Sequence, residues 1–175
     1  MRLTNNLTEY GLTSKIFHWL SAAALLIQIP LGFYLVDLDF GEQRLTFESI
    51  HVLLGLSIFY LTLLRLFYRL INPPPSLPKS IFPGQRLIAH LNHIFLYILI
   101  FVITISGVLK KLFNGEILDI FFTTIEINEN FELAKLFYDV HVIGNYTLII
   151  LISLHIFAVI IHKIIFKENL IKKIL

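Results

Sequence analysis

The sequence predicts an all-α integral membrane protein, a four-helix bundle with both termini in the cytoplasm. Three observations carry this prediction. Hydrophobic residues make up 57% of the 175 residues and charged residues 15%, with a mean hydropathy of +0.79, a balance too apolar for a soluble domain of this size. The apolar residues gather into four runs that reach the roughly 20 residues a helix needs to cross a bilayer. Lys and Arg are shared unequally between the two sides that these crossings define.

The first run extends from Lys15 to Val36. It resembles a secretory signal in having Lys15 before an apolar stretch, but it exceeds the roughly 7–15 residues of such a segment. Its small residues, Ala22 to Ala24, also come too early for a cleavage site, so it is expected to remain as a helix. Pro30 is a single point at which it can bend. The second run, Ser49 to Ile71, carries His51 near its start, leaves through Arg65 and Arg69, and is stopped by Pro73, Pro74 and Pro75. The third, Leu87 to Leu109, opens on His90 and His93 and ends on Lys110 and Lys111. The fourth, Val140 to Ile165, carries His141 and His155. The longest connections, Asn72 to Arg86 and Lys110 to Asp139, are short and partly apolar. They leave no room for a soluble domain, so residues 1–175 are expected to form one transmembrane domain with its chemistry in the bundle.

Orientation follows from the cations. With the N-terminus in the cytoplasm, Arg2, Lys15, Arg65, Arg69, Lys79, Arg86, Lys163, Lys167, Lys172 and Lys173 lie inside, against Arg44, Lys110, Lys111 and Lys135 outside. Lys110 and Lys111 run against the trend; snorkelling to the headgroups explains them better than a special role does.

The absence of cysteine removes thiolate-ligated haem, Cys-ligated iron–sulfur clusters, disulfides and covalent c-type attachment, so any bound haem is of the noncovalent b type. Histidines supply the ligands. His141 and His155 are separated by about four helical turns, which puts both on one face at depths roughly 21 Å apart. His51 and His141 both begin helices running inward and share the outer layer. His18 and His155 share the inner layer to within what tilt absorbs. Each pair can fill both axial positions of one haem b, in a core where cofactor sites are built from facing helices. Interhelical hydrogen bonding explains one membrane histidine well; it explains two depth-matched pairs poorly. Zinc or non-haem iron fits less well, because such sites use three or four close ligands and often carboxylates.

Other polar residues admit two readings each. His90 and His93, three apart, can line a quinone pocket, accept a proton or touch a haem propionate, and interfacial polarity accounts for them equally. His162 lies seven residues after His155, where interface solvation explains it better than ligation. Arg65 and Arg69 can pair with propionates or simply anchor the cytoplasmic side. Gly55 and Gly144, one turn past His51 and His141, would let a porphyrin face approach the backbone, and glycine also serves helix packing.

The chain resembles the bacterial-type cytochrome b561 family, four-helix di-haem membrane cytochromes. The resemblance rests on Phe-His18-Trp, Ile-His51-Val with Gly55, Arg65 and Arg69 followed by the triple proline, Ala-His90-Leu-Asn-His93, and His141 with His155. It implies two haems b held by the four matched histidines, with helix 3 supplying no ligand, in a bacterial inner membrane. It further implies single-electron transfer between a quinone, ubiquinone by expectation, and a second redox partner. One member type is similar to a superoxide oxidase, which takes an electron from superoxide at the outer face and reduces ubiquinone, and Lys110, Lys111 and Arg44 carry the right sign to steer that anion. The chain departs from the commoner family pattern at Val140 and Val142, which flank the helix 4 ligand. Membrane lipid is an expected partner and nucleic acid is not. Two alternatives stand beside this reading: a haem subunit that anchors a hydrogenase or dehydrogenase and passes its electrons to quinone, and a small transporter or scaffold without haem.

Overall fold

The structure is a computed structural model that describes residues 2–76, 81–120 and 123–175. Lys79, one of the cations assigned to the cytoplasmic side, lies outside the described residues. Four long helices dominate: α1 (Leu12–Asp37), α2 (Glu42–Ile71), α3 (Pro83–Phe113) and α4 (Phe131–Ile164). All four are long and apolar enough to cross a membrane. Each begins before its apolar run does, because polar turns precede the membrane-compatible stretch. The Asn130 side chain, for example, accepts the Leu133 N–H at 3.1 Å and starts α4 nine residues ahead of Val140. Helix α1 continues through Pro30.

Among the described residues, strands occur only in a short antiparallel hairpin between α3 and α4. Strand β1 (Leu118–Ile120) pairs with β2 (Thr123–Ile125), Leu118 opposite Ile125. A last short helix, α5 (Ile171–Ile174), folds back on α1, where the Trp19 indole N–H donates to the Ile174 carbonyl at 2.9 Å. Asn5 donates to the carbonyls of Asn72 and Pro73, so both chain ends and the α2–α3 connection share one end of the bundle. We call this the termini end and the opposite one the hairpin end.

Helix α1 packs on α2, α2 on α3, and α3 most closely on α4. The tight α3–α4 contact follows from Gly144, which is buried. A Cβ there would lie 2.8 Å from Ile103 Cγ1, so only glycine allows this approach. At mid-depth Ile58, Ile100, Ile103 and Leu148 form a buried aliphatic layer, with Ile58 and Leu148 each only 2% exposed. Leu148 stands midway in sequence between His141 and His155, and Ile58 midway between His51 and Arg65. The layer therefore separates the polar residues of one end from those of the other. Outward-facing leucines and isoleucines such as Leu26, Leu53 and Ile143 remain 66–76% exposed, which suits a surface covered by lipid tails.

Candidate functional site

The four histidines come together in two pairs. At the hairpin end the rings of His51 on α2 and His141 on α4 have their centroids 6.2 Å apart. At the termini end His18 on α1 and His155 on α4 are 6.5 Å apart. An atom bound at about 2 Å by one nitrogen of each of two facing imidazoles puts their centroids roughly 6.3 Å apart. Both spacings suit a metal held between the rings. Among the described residues no three His, Asp or Glu side chains converge as a metal cluster.

At the hairpin end, a backbone partner fixes the tautomer of His141. His141 Nδ1 lies 2.8 Å from the Ile103 carbonyl; a carbonyl only accepts, so Nδ1 carries the proton and Nε2 is bare. The Ile103 carbonyl also accepts from Ser106 Oγ at 3.0 Å. Gln28 on α1 donates through Nε2 to the His51 backbone carbonyl at 3.0 Å, and the same amide nitrogen stands 3.3 Å from His51 Nε2. His51 Nδ1 and Gln28 Oε1 are buried without hydrogen-bond partners, the kind of orphaned polar group that marks a site suited to a further ligand. Two glycines make room for the rings. A Cβ at Gly32 would lie 3.2 Å from His51 Cε1, and one at Gly107 would lie 3.0 Å from both Cε1 and Nδ1 of His141.

This pair borders a cavity of about 710 Å³, within the usual range for cofactor pockets. Its walls are mostly aliphatic, from Leu25 to Leu148, and its mouth is polar, with Asp37, Arg44, Glu48, Lys110, Lys111 and Tyr138; the buried Leu118 of the hairpin also lines it. The mouth cations are engaged. Lys111 pairs with Glu48 at 3.3 Å and with Glu116 at closer range, and Lys110 lies 3.9 Å from Glu116. Arg44 donates to the Leu38 carbonyl at 2.5 Å and covers the Phe40 ring at 4.6 Å. Partial burial pushes the Glu116 carboxyl up, but hydrogen bonds from Lys111 and Asn114 and the two lysine charges outweigh it, leaving its pKa below the ordinary value.

At the termini end the ring partners differ in kind. Arg65 Nη2 lies 2.9 Å from His18 Nδ1; guanidinium only donates, so this ring nitrogen accepts. Arg65 also lies over the Tyr97 ring at 5.7 Å. Nearby, burial raises the pKa of Tyr10, and the charges of Arg69 and Arg65 oppose the shift. His93 donates through Nδ1 to the Ala89 carbonyl at 2.7 Å and packs its ring 5.2 Å from that of His155. That separation is too short for a metal between those two rings, which leaves His18 facing His155.

The structure separates residues that the sequence grouped. His93 turns toward His155, whereas His90 is exposed. Gly55 lines the cavity, where a Cβ would meet the Gln28 amide at 3.2 Å, whereas Gly144 faces Ile103 on α3. His162 packs its ring 5.1 Å from Phe166. Gln28, Gly32 and Gly107 escaped the sequence reading. Gln28 was detectable as the single amide side chain in α1, with Gly32 one turn beyond it; nothing local marked Gly107.

A family model described as prokaryotic cytochrome b561 matches residues 9–175. Among curated proteins, cytochrome b561 homolog 2 of Escherichia coli (strain K12) is 34% identical over 122 residues, 69% of this chain. The match spans 65% of that relative's length.

Proposed function

This chain belongs to the prokaryotic cytochrome b561 family, and from that premise we propose that it is a membrane electron-transfer cytochrome carrying two haems b. With four spanning helices it is a multi-pass protein of the bacterial inner membrane. The observation that carries the two-haem reading is the presence of two imidazole pairs at 6.2 and 6.5 Å. In this reading residues 1–175 act as one unit, His51 and His141 hold one haem, His18 and His155 the other, and Arg65 and Arg69 lie where propionates need cations. Haem b, when bound, supplies a one-electron couple buried in protein.

The chain's own groups do the rest. Gly32 and Gly107 clear the space beside the rings, and the Ile103 carbonyl holds His141 with Nε2 bare. His51 with His141 and His18 with His155 would hold the haems, which would supply one-electron exchange with an outside donor or acceptor. Electrons then pass between a quinone, ubiquinone by family expectation, and a second redox partner. The termini end lies in the cytoplasm, in line with the excess of cations there. His93, with Nε2 bare, is suited to accept a proton from a quinol, and His90 to remain at the interface.

For the second partner, superoxide oxidation coupled to quinone reduction follows from one member type of the family, with Lys110, Lys111 and Arg44 at the mouth. The pairing of Lys110 and Lys111 with Glu48 and Glu116 weakens the pull on a small anion. It thereby favours a second reading, in which a partner redox subunit delivers electrons and this chain passes them to quinone.

The test is a reduced-minus-oxidised visible spectrum with haem quantitation on the purified protein, on His51→Ala and on His155→Ala. Two haems b per chain, one lost in each variant, is the expected result. Absence of haem from the unmodified protein would overturn the cytochrome reading.

A further inference from the structure

The two histidine pairs are alike in spacing but opposite in what stands behind the rings. Behind His141 is an acceptor, the Ile103 carbonyl at 2.8 Å; behind His18 is a cation, the Arg65 guanidinium at 2.9 Å. We infer that this asymmetry makes the His18/His155 site the more easily reduced of the two. The inference rests on the two-haem reading proposed above.

The carbonyl draws the Nδ1 proton of His141 toward itself, which makes the opposite nitrogen a better electron donor and stabilises the more positive, oxidised state of a metal bound there. Tight α3–α4 packing at Gly144 holds that carbonyl in place. A guanidinium has the opposite effect, because a full positive charge in a low-dielectric interior favours the state with one electron more. Arg65 is well placed to act in this way. No Asp or Glu occurs in the sequence between Glu48 and Glu116, and among the described residues no protein carboxylate forms an ion pair with it; the counter-charge it would meet is the propionate proposed above, which Arg65→Gln would leave in place. At the hairpin end, by contrast, the lysines nearest the cavity are balanced by Glu48 and Glu116.

Arg65 and a metal make different demands of His18. A neutral ring that accepts from Arg65 at Nδ1 carries its proton on Nε2, the nitrogen a metal needs. When Nε2 becomes a ligand, that proton passes to Nδ1 with none gained or lost, and the guanidinium gives up the hydrogen bond. Its charge stays within side-chain reach of the site. Arg65 is thus a positioning residue that acts on the potential through its charge.

The experiment is an optical redox titration of the full chain in detergent. His51→Ala reports the termini-end site and His155→Ala the hairpin-end site. The midpoint in His51→Ala is expected to lie above that in His155→Ala by at least a tenfold shift in the reduction equilibrium, which is about 59 mV for one electron. Adding Arg65→Gln to His51→Ala should move the equilibrium about tenfold toward oxidation, adding it to His155→Ala should leave it unchanged, and Arg65→Lys should retain most of the original value. The reverse order of midpoints, or an equal response to Arg65→Gln in both backgrounds, would overturn the inference. The order of midpoints stands as a test even where an Arg65 variant fails to fold, and a chain that holds no haem would refute the two-haem reading instead.

Discussion

The Nδ1 nitrogen of His141 and the carbonyl oxygen of Ile103 lie 2.8 Å apart across the α3–α4 interface. The bond depends on how closely the two helices approach. That approach is set at Gly144, one turn beyond His141, where a methyl group would fall 2.8 Å from Ile103 Cγ1.

Gly144→Ala should therefore force α3 and α4 apart and destabilise the protein by about 1–3 kcal/mol, the usual penalty for overpacking a core. Thermal unfolding in detergent measures it. An unchanged midpoint would mean that the interface yields without loss.

Gly107→Val and Gly32→Val test the space beside the hairpin-end rings, since added carbons would meet His141 at 3.0 Å and His51 at 3.2 Å. Each should lower haem content toward one per chain. Gly41→Ala, with nothing within 4 Å of an added Cβ, serves as the control and should retain the full complement by pyridine haemochrome assay.

Gln28→Leu removes a hydrogen bond to the His51 carbonyl and, with it, a buried Oε1 that has no partner. The two effects oppose each other, so stability should change by less than about 1 kcal/mol. A loss of several kcal/mol in chemical unfolding would show that the amide has a further partner.

The Glu116 carboxyl, held below its ordinary value of 4.5 by Lys111, Asn114 and Lys110, should make the hairpin end acid-sensitive. A depressed carboxyl contributes its stabilisation in full above the unfolded value and loses it as pH falls through the lower folded value. For a partly exposed ion pair the amount is about 0.5 kcal/mol. Melting curves between pH 6 and pH 3 should fall less steeply for Glu116→Gln than for the unmodified chain, with Glu48 left to pair with Lys111.

If superoxide is the donor, the paired state of Lys110 and Lys111 predicts a weak salt dependence. The second-order rate constant for superoxide-driven quinone reduction should change by less than about twofold between low and physiological ionic strength. A tenfold fall would show long-range steering instead.

The spans and the four histidines were legible in the sequence because both depend on properties local to a helix, namely hydropathy over a run and the periodicity that puts His141 and His155 on one face. What stands behind each ring was not. The partner of His141 is a backbone carbonyl on another helix, and that of His18 is an arginine that positive-inside anchoring explained equally well. His90 and His93 share a helix face by spacing, yet only His93 reaches His155, because the position of α4 decides between them. The hairpin strands are too short to show a periodicity, and the glycines that clear the rings can be recognised only against the helix each one faces.

The buried layer around Ile58 and Leu148 acts as an insulator. Its aliphatic side chains offer no hydrogen-bonding groups along which a chain of water could carry protons from one histidine pair to the other. In the two-haem reading, an electron that crosses it would displace net charge within the membrane field. A full crossing corresponds to about 2.3 kcal/mol of electrical work per 100 mV; in that reading, electron traffic between the pairs would therefore be coupled to the voltage across the membrane.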